Sequence, residues 1–234
     1  MTVDVTVVDI AALGAMLCEA ERRAPRLSGV ETQRRNRIAD QASAQRYTAA
    51  HVALRLVLER QLGRAAGRAP FALGAHGKPS LAGSPASFSL AHSDRFALIA
   101  VSANGPVGVD IEEPRSLRLN PRLRALLIAA AQSIGPPFAA ASMTDDQDTL
   151  RAWTRLEALA KASGLGIGAI LGAVLGRDGR DRSPAVWLDS LMTDGRLRIE
   201  DLRLPFDGVI AALVLPAAET FSVATLLPDA IAAA

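Results

Sequence analysis

The 234-residue sequence contains one cysteine, Cys18. A lone thiol closes no intramolecular disulfide and builds no cysteine-based zinc site, so a reducing compartment is the expectation. Aromatic residues make up only 4% of the chain, which leaves few platforms for stacked bases and argues against a nucleic-acid partner. No apolar run approaches the ~20 residues of a membrane-crossing helix. The opening Met1-Thr2-Val3-Asp4 lacks the basic start of a secretory signal, so the expected location is the cytoplasm, without membrane association. There is no Gly-Lys-Ser/Thr phosphate loop. Gly164-Leu165-Gly166-Ile167-Gly168 follows a helical segment instead of joining a strand to a helix, and is not read as a dinucleotide fingerprint.

Half of the residues are apolar, enough to bury a substantial core. The formal net charge is only +2, but it is unevenly spread: Arg22 to Arg68 holds eleven arginines against Glu31, Asp40 and Glu59. That stretch is either an anion-seeking surface or the solvated basic face of a helix.

Between Glu31 and Leu62, apolar residues recur at helical spacing through Ile38, Ala42, Ala49, Val52, Ala53, Leu56 and Val57, predicting one or two helices. Glycines and prolines from Gly63 to Pro85 predict loop with one short strand. Short apolar runs around Phe88–Leu90, Phe96–Val101 and Val107–Ile111, split by Ser93-Asp94-Arg95 and Asn104-Gly105-Pro106, predict an antiparallel meander. Helices are expected at about Pro121–Ala131 and from the acidic stretch at Asp145 to about Ser163. Strands are expected at Ala185–Leu188, along Leu197, Ile199, Leu202 and Leu204, and at Val209–Leu215 and Phe221–Leu226. This order suggests an α+β protein of two lobes of similar size, residues 1–105 and 106–234.

In Gly108-Val109-Asp110-Ile111-Glu112, strand geometry sends Val109 and Ile111 to one face and Asp110 and Glu112 to the other. Two neighbouring carboxylates repel unless a cation lies between them, and oxygen-only ligands with open positions suit Mg²⁺. A strand end with two solvated acids is the plainer alternative. In Trp153-Thr154-Arg155-Leu156-Glu157-Ala158-Leu159-Ala160-Lys161, Trp153, Glu157 and Lys161 are four apart and share a helix face. Glu157 and Lys161 would also suit an ordinary surface ion pair. Lys78, in Gly77-Lys78-Pro79, and His92, ending Phe88-Ser89-Leu90-Ala91-His92-Ser93, are candidate phosphate contacts or, equally, structural residues.

Taken in order, these four segments resemble the motif series of the 4′-phosphopantetheinyl transferases, in particular the larger Sfp-type group. The resemblance runs from about Arg46 to Gly168. It implies an α/β fold of two similar, pseudo-symmetric lobes with coenzyme A and Mg²⁺ in the cleft between them. It further implies that Asp110, Glu112 and Glu157 bind the metal, and that Lys161 lies near the pyrophosphate. Lys78 and His92 are expected to contact phosphates of coenzyme A, and Arg46 its 3′-phosphate. The implied reaction, of the holo-acyl-carrier-protein synthase type, moves phosphopantetheine onto a serine of a small acidic acyl or peptidyl carrier protein and releases 3′,5′-adenosine bisphosphate. Glu157 would accept the serine proton, and the enzyme would be a monomer.

Two positions depart from the pattern. Ala91 stands where the family often has Ser, and Leu156 where it often has Lys before the helix glutamate. These bear on coenzyme A affinity more than on metal binding. The rival readings are a Mg²⁺-dependent pyrophosphate hydrolase and a non-catalytic module that binds coenzyme A or a carrier protein.

Overall fold

A valine-rich segment opens the fold: β1 (Thr2–Asp9) alternates, with Val3, Val5 and Val7 buried on one face and Val8 on the other. The computed structural model describes residues 2–103, 105–138, 145–177, 183–192 and 195–232; Asn104, in the expected turn, lies outside them. Asp9 ends the strand and caps α1 (Ile10–Arg23), its carboxylate accepting from the Ala12 N–H at 3.0 Å. A reciprocal capping box between Ser28 and Glu31 starts α2 (Gly29–Asn36). Asp40 caps α3 (Gln41–Leu62), which is followed by the short α4 (Arg64–Arg68).

β2 (Phe71–Leu73) and β3 (Pro79–Leu81) form a small antiparallel hairpin. β4 (Ser87–His92) and β5 (Phe96–Ser102) join β1 in a four-stranded sheet completed by β9 (Thr220–Thr225), which runs parallel to β1 in the order β4-β5-β1-β9. The first sheet therefore draws strands from both halves of the chain. A second, antiparallel sheet has the order β6-β8-β7, with β6 at Gly108–Glu112, β7 at Leu197–Asp201 and β8 at Ile210–Pro216. The remaining described helices are α5 (Pro121–Ser133), α6 (Asp145–Ser163), α7 (Ile167–Val174), α8 (Pro184–Leu191) and α9 (Pro228–Ala232).

Side-chain alternation sorts these elements into layers. Val3, Val5, Val7, Leu98 and Ala100 of the first sheet pack against Val109, Ile111, Leu213 and Leu215 of the second. The other face of the first sheet, with Val8, Phe88, Ile99 and Val101, packs against α1 and α3. Ala212, Val214 and Ile199 on the other face of the second sheet pack against Leu156 and Leu159 of α6 and Leu127 of α5. Helices thus cover the outer face of each sheet in a mixed α+β architecture.

Local capping explains where the sequence expectations fail. Ala185–Leu188, expected as a strand, is inside α8: the Ser183 hydroxyl accepts from the Val186 N–H, and Pro184 occupies the first turn, so the cap outweighs the strand preference of Val186 and Trp187. The stretch read as loop with one strand holds α4 and a complete hairpin. β1, α1 and α7 were not anticipated.

Two fully buried arginines knit the layers. Arg55 on α3 bonds Glu31 Oε2 at 2.6 Å and the carbonyls of Gly67 and Ala69 at 3.2 and 2.5 Å, with its guanidinium 3.7 Å from the Phe71 ring centre. Arg155 on α6 grips Asp201 through two bonds of 2.8 and 2.7 Å and also donates to the Pro136 carbonyl. A buried charge with this many partners is costly to strand by deleting one of them.

Burial alone would raise the Glu31 carboxyl, but hydrogen bonds from His51, Arg55 and Ser28 outweigh it and hold the group down to about 2, against 4.5 ordinarily. A depressed folded-state value contributes stability above the unfolded value that is lost as pH falls through the folded one. Denaturant titrations across pH are expected to show stability declining between about pH 4.5 and 2. Glu31→Gln should be less stable at neutral pH and flatter across that window; an unchanged slope would remove Glu31 as its source.

Candidate active site

The close approach of α6 to β6 organises the site. On the face of β6 shared by residues 108, 110 and 112, a Cβ at Gly108 would lie 2.0 Å from the Ala158 carbonyl oxygen and 2.5 Å from the Ala162 nitrogen. Only glycine admits the helix backbone there. With the helix so close, Lys161 Nζ reaches Asp110 Oδ1 at 2.8 Å on one side and Glu157 Oε1, one turn earlier, at 3.4 Å on the other.

Asp110 is 5% exposed, and its Oδ2 has no hydrogen-bond partner. Burial pushes its carboxyl well above the ordinary range; Lys161 opposes the rise, while Glu157 and Glu112 add to it. Glu112 is at the strand end, bound by the guanidinium of Arg115. Among the described residues, no three His, Cys, Asp or Glu side chains stand close enough together to hold a metal as placed. The donor chemistry nonetheless suits a hard cation: all three acids supply oxygen, and Asp110 Oδ2 is unpartnered.

These side chains line one cleft of about 910 Å³, together with Lys78 and His92. Segments separated by some eighty residues of chain are thereby brought together. His92 stands exposed at the end of β4. Lys78 is half-buried, with Nζ on main-chain carbonyls. Arg46 is not brought to the cleft: its guanidinium turns to Ser43 Oγ at 2.8 Å and Asp94 Oδ1 at 3.4 Å, and it lines a separate groove of about 370 Å³ beside α1. Trp153 shares the helix but is not part of the cleft wall. Ala91 and Leu156 are both buried, Leu156 completely, among core residues.

The cleft also has walls that the motif reading missed. Tyr47 and His51, one helical turn apart on α3, stack with ring centres 4.0 Å apart, and His51 Nδ1 lies 3.2 Å from Glu31 Oε1. Arg34 reaches over Tyr47. The spacing of four between Tyr47 and His51 was the available signal. Ser89 Oγ accepts from the Val109 N–H at 3.1 Å and joins the edge strands β4 and β6 beneath the cleft.

Gly108→Ala should displace α6 and destabilise the fold by about 1–3 kcal/mol or more, the range for overpacking. Thermal unfolding measures this, and an unchanged midpoint would contradict the close approach.

No protein-family model matches the chain. It is similar to a curated protein of Synechocystis sp. (strain ATCC 27184 / PCC 6803 / Kazusa) named "Putative 4'-phosphopantetheinyl transferase", with 31% identity over 156 residues. The match covers 64% of this chain and 61% of the relative, so the chain spans less than two thirds of that protein's length. The motif series and this similarity point the same way: what the chain resembles in both is a 4′-phosphopantetheinyl transferase.

Proposed function

We propose that the protein transfers the 4′-phosphopantetheine arm of coenzyme A to a serine of an apo acyl or peptidyl carrier protein, as a cytoplasmic, monomeric, Mg²⁺-dependent enzyme of the Sfp-type group with two similar lobes. The observation that carries this reading is the meeting of Lys78, His92, Asp110, Glu112, Glu157 and Lys161 in one cleft. The cleft is large enough for a nucleotide-sized ligand.

In this reading the serine Oγ attacks the β-phosphorus of coenzyme A. The new O–P bond forms as the bond to the bridging oxygen breaks, and 3′,5′-adenosine bisphosphate leaves. Glu157 takes the serine proton, its carboxylate held in place by Lys161 at 3.4 Å. Lys161 also presents positive charge where the pyrophosphate would lie, and His92, which lines the same cleft, offers a ring nitrogen. Magnesium would be held by Asp110, Glu112 and Glu157, and when bound it would neutralise charge on the phosphate oxygens. For Glu112 to join that set, Arg115 must release it. Arginines of the N-terminal half would steer an acidic carrier.

Intact-mass measurement of apo carrier proteins, incubated with the protein, coenzyme A and Mg²⁺ beside a chelated control, tests the proposal. A metal-dependent gain of one phosphopantetheine is expected. Coenzyme A cleaved without a carrier would instead indicate a hydrolase, and coenzyme A bound without reaction a binding module. Glu157→Gln should lower the transfer rate by ~10²–10⁴, the usual contribution of a general base. Asp110→Ala should do at least as much while the protein remains folded, and full activity in either variant would overturn the assignment of that acid.

A further inference from the structure

Among its 26 lysine and arginine residues the chain has two lysines, Lys78 and Lys161. Lys161 stands in the last turn of α6, and Lys78 reaches that same turn from outside the helix. Lys78 extends from the β2–β3 hairpin, where Gly74 N–H donates to the Lys78 carbonyl at 2.9 Å and closes the loop. Its Nζ donates to the Ala162 carbonyl at 2.9 Å and to the Val107 carbonyl at 3.3 Å. Ala162 is in the last turn of α6, directly after Lys161, and Val107 directly precedes Gly108. The carbonyls of Leu159 and Ala160 are already taken by Ser163 Oγ, and that of Ala160 also by the Gly164 N–H. Lys78 therefore satisfies a helix-end carbonyl left without an internal partner, and it places positive charge at the negative end of the helix. Its stem passes Gly164, where even a Cβ would come within 3.6 Å of it. A compact ammonium suits two carbonyls in such a space better than a planar guanidinium.

We infer that Lys78 is a positioning residue, a latch that ties the β2–β3 hairpin to the end of α6 and the start of β6 and so holds Glu157 and Lys161 in register with Asp110, instead of reaching for a phosphate of the ligand. The hydrogen bonds place it where a small shift of α6 would carry Lys161 and Glu157, which move together on that helix, away from Asp110. The kinetic and coenzyme A arms of its test rest on the transferase reading; the labelling rate of the free protein and the amide exchange do not.

With only two lysines in the chain, amine-reactive labelling read site by site by mass spectrometry is direct. In the free protein Lys78 is expected to label at roughly a tenth of the rate of an unprotected lysine or less, and added coenzyme A should leave that rate unchanged. Rapid labelling in the free protein that coenzyme A blocks would overturn the latch in favour of a phosphate contact. Lys78→Met keeps the stem and removes the donor. In this variant amide exchange over residues 158–164 should be at least about tenfold faster, as the loss of charge-assisted hydrogen bonds implies. Coenzyme A affinity by calorimetry should stay within about threefold of the parent, and kcat should fall with KM for coenzyme A little changed. A tenfold loss of affinity with exchange unaltered would refute the inference. The labelling rate of the free protein needs neither a variant nor coenzyme A, so rapid labelling of Lys78 there refutes the latch even where Lys78→Met does not fold or the transferase reading fails.

Discussion

The backbone of α6 resting on Gly108 is the contact on which the rest of the site depends. A side chain there would meet the Ala158 carbonyl at 2.0 Å, so the helix could not settle against β6. The consequences run outward from that point. Lys161 comes within hydrogen-bonding reach of Asp110, Glu157 follows on the same helix face, and the core residues Leu156 and Leu159 close over the second sheet. Arg155 fastens the helix to β7 through Asp201, and Lys78 fastens its end to the hairpin. One helix is thereby held by packing, by the ion pair of its buried Arg155 and by its terminal carbonyl at once, and it carries two of the groups on which the proposed chemistry turns.

Electrostatics and packing are in tension in this region. Asp110 is buried with one oxygen on Lys161 and the other without a partner, an arrangement that costs stability in the free protein. Its elevated carboxyl expresses the same cost. Such a group is a natural seat for a cation, because added positive charge relieves the desolvation that burial imposes. The ion pairs of Lys161 and Arg115 offset part of it meanwhile. The opposite behaviour is seen at Glu31, which is equally hidden but saturated with donors and so is held ionised. The contrast is between a buried acid saturated with donors and one left with an open oxygen.

Much was legible in the chain before folding. Period-two alternation in Gly108–Glu112 put Asp110 and Glu112 on one face, and the spacing of four put Glu157 and Lys161 together; the structure has both arrangements. Helix and strand positions through the middle of the chain followed from the same periodicities. What escaped was set by local or long-range partners that periodicity does not register. The Ser183 cap turned an expected strand into α8, and β9 found its place beside β1 at the far end of the sequence. Arg46, which the resemblance places at the 3′-phosphate, is engaged by Ser43 and by Asp94 in a distant turn.

The amino-acid order by itself determined which residue types could do chemistry and which of them would share a face, because side-chain direction along a strand or helix is fixed by backbone geometry. It also excluded, through its one cysteine, an intramolecular disulfide. Only the tertiary structure decided which faces meet. The convergence of residues 78, 92, 110 and 161, the exclusion of Arg46 from their cleft and the engagement of Lys78 by carbonyls all depend on distances across the chain. Those distances are settled by close packing between elements, such as α6 against Gly108, which no local pattern encodes.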